Sequence, residues 1–242
     1  MEALGKGALV SMKDIFEIVK HNLDVDQNMS LKESVYQALR KTIILGDIPA
    51  GVRINEMEFA EVLNISRTPI RYALQELSKE NLVEHRPRIG TVVKGIKRKD
   101  AYEIFAIRKV LDTLATVKAM QAMTDEDFQA LETLLNDGKK LHQENRVEEV
   151  LQNFSDFNSF IYEKSDMLRL SQIVTELQTY LVYFRDVAIR SSVRRHIALE
   201  EHWRILAGMK NKEVDEITVA VHNHLDRSLQ FIIQAMEQRE LD

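Results

Sequence analysis

The chain of 242 residues contains no cysteine. Disulfides, thiolate catalysis and cysteine-ligated zinc are therefore excluded together, and the absence is compatible with a reducing compartment. No apolar run is long enough to cross a bilayer, and the N-terminus lacks the charged, apolar and small-residue order of a secretory signal. The expected location is the cytoplasm. Proline is scarce and one-sided: Pro49, Pro69 and Pro87 all precede residue 90, and after Gly95 only Gly138 and Gly208 interrupt the remaining chain. A stretch that long without a breaker reads as helix. Enzyme signatures are missing as well: there is no HExxH, no glycine-rich phosphate loop and no nucleophile elbow. The reading is of a protein that is not an enzyme, a metal-dependent hydrolase being the weakest of the classes weighed.

What remains is a globular composition, 45% hydrophobic and 29% charged, with a net charge of −5. The charge is not evenly spread. Residues 31 to 98 carry 12 Lys/Arg against 8 Asp/Glu, a surplus of four, so the rest of the chain sums to −9. A local basic surplus on an acidic body suits a protein that grips phosphates with one part only.

The basic part holds the most informative segment. Asn55 can cap a short helix, with Glu58 three residues on as in a capping box, and Asn64-Ile65 supplies a tight break. A second helix then starts at Ser66, tolerates Pro69 in its first turn, and repeats Ile70, Ala73, Leu74 and Leu77 on one face. Arg67 and Arg71 share a stripe near its N-terminus, the end that a helix-turn-helix presents to base edges. Taken alone, this is also what a helical hairpin with two solvated arginines would look like. The following residues favour the DNA reader: Leu82–His85 and Thr91–Val93 read as strands joined by Arg86-Pro87-Arg88-Ile89-Gly90, a basic turn that makes a wing. Arg86 and Arg88 would approach a groove or the phosphates, and Gly90 permits close backbone approach or a positive φ.

Beyond a polar joint at Ile96–Asp100, periodic segments at Tyr102–Met123, Thr124–His142, Val147–Tyr162, Met167–Ile189, Val193–Met209 and Glu213–Met236 predict six or seven helices in a bundle. The fold class is mainly α: a winged helix-turn-helix at residues 30–98 and an all-α domain at 99–242, behind an extension at 1–29. In that extension Met12–Leu23 predicts a short amphipathic helix, and Met1–Ser11 reads as a leader ahead of a natural start at Met12.

Ile44–Gly51, Ile54-Asn55-Glu56 and Ser66–Arg71 resemble the winged-helix domain of GntR-type bacterial transcription regulators. Glu103–Arg108 with Leu111-Asp112, Glu201–Leu206, and His224-Leu225 resemble the helical effector domain of the FadR-like (FCD) branch. The resemblance implies a homodimer on a pseudo-palindromic duplex operator, controlled by a small carboxylate in the helical domain. It makes Arg67 and Arg71 the operator-contacting arginines and Gly90 the wing-tip glycine; Thr68, Arg86 and Arg88 complete the expected DNA contacts. Tyr72 departs from it, standing where the family usually has Glu, and either contacts phosphate or packs.

The resemblance also implies a divalent metal (Zn, Ni, Mn or Mg), with His202 and His224 matching two ligands. Phe154 and Asn158 stand where the other pair, Asp and His, belongs. Half of the donor set is missing, so a tightly held Zn or Ni is less expected than in the relatives. Arg108, on a mostly apolar helix, is the preferred effector anchor, with a salt bridge to Asp112 as the competing role. Arg108, Asn158, His202 and His224 together would suit a di- or tricarboxylate. The whole sequence is similar to regulators of citrate fermentation in Gram-positive bacteria, which makes citrate the named expectation. Arg185, Arg190, Arg194 and Arg195 are reserve anion ligands or a solvated face. The competing function is a dimeric DNA-binding regulator whose degenerate pocket takes no effector.

Overall fold

The computed structural model describes residues 11–23 and 29–241. The expected leader at Met1–Ser11 therefore lies, except for Ser11, outside the described residues. The chain divides into two compact units, one ending at Lys97 and the other running from Arg98 to Glu240.

The first unit opens with α1 (Met12–Asn22), started by a capping box between Ser11 and Asp14. Its apolar face buries Ile15, Phe16 and Val19, and the Phe16 ring meets Phe59 edge-on at 4.9 Å between centroids. This helix is thus part of the core of the unit. Next come α2 (Leu31–Ile44), β1 (Arg53–Ile54), α3 (Glu56–Val62), α4 (Arg67–Lys79), β2 (Val83–Arg86) and β3 (Gly90–Val93). Asn55 caps α3 by accepting the Met57 amide, but the box with Glu58 does not form. Asn64, at φ 53°, makes the break between α3 and α4 in the left-handed region that Asn tolerates. Pro69 lies in the first turn of α4, and Ile70, Ala73, Leu74 and Leu77 are all buried as their spacing requires.

The sheet has three antiparallel strands in the order β1-β3-β2, one more than the sequence suggested. Ile54 pairs with Thr91 and Arg86 with Gly90. α2 is tied to α4 by a polar knot in which the buried Arg40 donates to Glu80 at 2.7 Å and Tyr36 also donates to Glu80.

The second unit consists, among the described residues, of seven helices: α5 (Arg98–Ala122), α6 (Asp125–Gln143), α7 (Val147–Lys164), α8 (Leu168–Thr179), α9 (Val182–Ile189), α10 (Ser192–Asn211) and α11 (Val214–Glu237). The segment expected as one helix from Met167 to Ile189 is two, interrupted at Tyr180-Leu181. Thr124 starts α6 with a capping box to Asp127. A core of Val150, Phe154, Ile189, Ala198 and Leu199 joins α7, α9 and α10. Gly138 is required where α6 meets α7, since a Cβ there would lie 2.3 Å from Asn153 Oδ1. No helix among the described residues is long and apolar enough to cross a membrane.

Candidate functional site

In the first unit the expected contact residues form an exposed surface. Arg67 and Thr68 occupy the first two positions of α4, and Arg71 lies one turn on; all three are exposed. The two guanidiniums converge on one carboxylate, with Arg67 Nη2 and Arg71 Nη2 at 3.2 and 3.4 Å from Glu56 Oε2. Glu56 is the first residue of α3, so the turn of the helix-turn-helix brings it alongside α4. It is a contact residue that the sequence reading did not single out. Tyr72 donates to Glu33 at 3.4 Å and receives Lys32 over its ring at 4.8 Å, which places it against α2.

The wing is compact. Arg88, at φ 65°, and Gly90, at φ 105°, make the turn between β2 and β3. Arg86 is held along its strand by Glu84 at 2.6 Å, whereas Arg88 is exposed at the tip. Arg53 adds a cation that the sequence reading also passed over. A Cβ on Gly90 would lie 3.5 Å from Arg53 Nε, so β1 carries this arginine to the wing tip.

The second unit contains a cavity of about 600 Å3, part of it open to solvent. Arg108, Asn158, His202 and His224, the four expected effector contacts, all line it. So do Arg185 and Arg194 from the reserve set, together with Gln178 and Ser228. Of the two expected roles of Arg108 the salt bridge is formed, its Nη2 donating to Asp112 at 2.9 Å, while its buried Nε has no partner. Tyr162 donates to the other Asp112 oxygen at 3.0 Å. Burial opposes the Arg108 charge, but Asp112 and Tyr162 more than offset it and hold the guanidinium above its ordinary pKa. Burial, with the Asp112 charge beside it, pushes the Tyr162 phenol well up.

Arg194 and Arg195 are not a solvated face. They are only 3% and 2% exposed. Arg195 is consumed structurally, donating to the Ile189 and Arg190 carbonyls and to Asn145 Oδ1. Arg194 donates to Glu201 at 3.1 Å and to Ser228 at 2.7 Å. Glu201 Oε2 also meets His224 Nδ1 at 2.9 Å. Its Oε1 has Arg227 Nη1 at 3.3 Å, an ion-pair contact without hydrogen-bond alignment. Burial raises the Glu201 carboxyl, yet the bond to His224 and the Arg194 charge outweigh it, leaving the group below the usual carboxylate range. Arg185 sits with Asp186 at 3.1 Å, and Arg190 is exposed.

His202 is enclosed by carbon. Phe157 stacks on its ring at 4.3 Å and Phe154 meets it edge-on at 5.0 Å, with the His224 ring 4.9 Å away. Its Nδ1 is buried without a partner. Burial above all, aided by His224 and Arg194, drives its pKa well below 6.5, so the imidazole stays neutral. This arrangement does not fit the implied metal. The Phe154 ring packs on the His202 face of the site, Asn158 offers only an amide, and His224 spends one nitrogen on Glu201. No group of three or more His, Cys, Asp or Glu among the described residues could hold an ion.

Comparison with known proteins agrees with both units. Residues 31–93 match the family described as bacterial regulatory proteins, gntR family, and residues 103–227 match the FCD domain. An uncharacterized HTH-type transcriptional regulator of Bacillus subtilis strain 168, YdhC, is 26% identical over 84% of this chain and 91% of its own length. A gluconate operon transcriptional repressor of Bacillus licheniformis is 26% identical over 78% of this chain and 79% of its own. The solved structure of Escherichia coli McbR/YncC superposes with a TM-score of 0.60 at 22% identity, covering 85% of this chain and 98% of that one.

Proposed function

The chain belongs to the GntR family of bacterial regulatory proteins and carries its FCD domain, and on that premise we propose that an organic acid in the helical unit sets the affinity of the winged head for its operator. That the protein is a DNA-binding transcription regulator and not an enzyme follows from the family itself.

In the proposed complex the N-terminal turn of α4 enters the major groove. Arg67 and Arg71 leave Glu56 for base edges or phosphates, and Thr68, between them, contacts the backbone. Arg86, Arg88 and the Gly90 backbone hold the duplex from the wing, with Arg53 alongside. The family acts as dimers, and two heads must meet half-sites about one DNA turn apart, roughly 34 Å. An acid that favours one packing of the helical unit changes how well that separation is met.

The observation that carries the effector half is the cavity, where polar groups without partners, Arg108 Nε and His202 Nδ1, belong to residues in an otherwise largely apolar wall. Buried polar atoms seldom stay unsatisfied, and an incoming carboxylate supplies the acceptor that the Arg108 Nε–H lacks. The similarity to a repressor named for a gluconate operon supports an acid-responsive role. Zn, Ni, Mn or Mg has no place in the proposal, given the donor set. Citrate, the candidate from overall resemblance, is one member of the acid class.

The test is operator binding by the full chain, followed by fluorescence anisotropy on promoter fragments, with and without a panel of organic acids. An affinity change of about fivefold or more, the lower range of allosteric coupling, is the expected result. Operator binding that ignores every acid, with no shift in melting, would instead support a regulator with a degenerate pocket.

A further inference from the structure

We infer that the cleft between α4 and the wing seats one phosphate of the duplex backbone, held by Gln75, Ser78 and His85 and not by the arginines. The inference rests on the entry of α4 into the major groove proposed above, and adds to it a contact that carries no base information.

Periodicity brings the residues to one place. Gln75 and Ser78 follow Arg71 by four and seven positions, so the three share one stripe of α4, and all are exposed. On the sheet, His85 lies on the same face of β2 as Val83 and stands opposite Thr91 of β3 in the ladder. Between helix and hairpin is a cleft of about 590 Å3, part of it open to solvent. Arg71, Gln75, Ser78, His85 and Thr91 line it, above a floor of the buried Leu74 and Val83.

Gln75, Ser78 and His85 have no hydrogen-bond partner among the described residues. Water satisfies exposed groups of this kind, so their freedom alone assigns nothing; their position does. A helix in the major groove has a backbone on either side, and a wing beside that helix reaches across one of them. That strand runs between α4 and the β2–β3 hairpin, through the cleft. Gln and Ser are regular phosphate donors, and an imidazole N–H serves equally. Negative charge does not stand in the way. Glu56, at the Arg71 end of the lining, already holds Arg67 and Arg71, while the neighbouring Glu76 and Glu84 are engaged by Lys79 and Arg86. Gln75 and Ser78 are uncharged and displace no counterion, so what they add to affinity does not fade as salt rises. The packed floor fixes the spacing of helix and strand before DNA arrives, which keeps the ordering cost low.

The experiment is fluorescence anisotropy of the full chain on a promoter fragment from its own locus and on a random duplex of equal length, over a salt series, with ethylation interference on the promoter fragment. Gln75→Ala, an exposed change that favours helix, is expected to weaken both duplexes about tenfold, the loss of one hydrogen bond to a charged group. The slope of log affinity against log salt should match that of the wild type. Ethylation at one phosphate per half-site should block the wild type and cost this variant nothing further, and Ser78→Ala and His85→Ala should be blind to the same phosphate. A loss confined to the promoter fragment makes Gln75 a base reader and overturns the inference. Unchanged affinity for Gln75→Ala, with Arg71→Ala still weakening binding, also overturns it and leaves the entry of α4 standing. Unchanged affinity for both variants removes that entry as well.

Discussion

Glu56 and Glu201 each hold two arginines, and they do so in opposite surroundings. Glu56 lies between Arg67 and Arg71, whose side chains are 52% and 56% exposed. Glu201 lies under Arg194 and His224, with Arg227 on its far oxygen, and is 3% exposed itself. Coulomb attraction at the first site is screened by water and salt, so a better anion can displace the carboxylate. At the second, charge and counter-charge have both left water and neither can be removed alone. The same chemical motif is a replaceable counter-ion in the head and a fixed wall in the body.

The largest expected effect tests the fixed wall. Glu201→Gln keeps the shape but strands the buried Arg194 charge, and should lower the stability of the helical unit by about 3 to 5 kcal/mol. Trp203, the only tryptophan, is two residues from Glu201 and reports that transition by fluorescence. Replacing both partners, Glu201→Leu with Arg194→Met, should recover only part of the loss, because the stranded charge is gone while His224 and Ser228 still lose their partners. A loss below about 1 kcal/mol for the single variant would put Glu201 on the footing of a surface pair and erase the contrast.

Next in size is the surface arginine. Arg71→Ala is expected to cost about 1 to 3 kcal/mol in operator binding if its guanidinium reads a base. Its unfolding transition should move by no more than about 0.5 kcal/mol, as for other exposed positions. Equal losses on operator and random duplex would assign Arg71 to phosphate positioning. Arg67→Ala, measured beside it, separates the two arginines that Glu56 treats alike.

The contrast also explains what could be read from the sequence. α4 was legible because its Pro69 and its apolar face are local signals, and the long helices because their periodicity runs unbroken. β1 was not, since two residues show no alternation. The break at Tyr180-Leu181 carries neither Pro nor Gly, so the pattern ran through it. His202, His224 and Arg108 could be placed inward from their neighbours on one helix. Their partners could not: Phe154 and Phe157 reach His202 from α7, and the Glu201 cluster joins residues seven positions apart on α10 to others on α11. Arg194 and Arg195 looked like solvent-facing charge because the acceptors that bury them, Glu201, Ser228 and the Ile189 and Arg190 carbonyls, are set only by tertiary packing. Glu56 was visible as a motif residue, but its grip on Arg67 and Arg71 spans 11 and 15 positions across the turn.

The smallest effect is the most direct test of the replaceable counter-ion. If Glu56 only occupies Arg67 and Arg71 until phosphates arrive, DNA binding must break two exposed ion pairs, each worth about 0.2 to 1 kcal/mol. Glu56→Gln removes that cost and also a negative charge beside the duplex. Affinity should therefore rise roughly two- to tenfold at low salt, on random DNA as much as on operator, so that the ratio between them falls or stays level. The gain should shrink as salt rises, since screening already weakens the pairs that the substitution deletes. A fall in operator affinity on Glu56→Gln would mean that the carboxylate holds the two arginines in their reading position within the complex, making Glu56 in the head as fixed as Glu201 in the body.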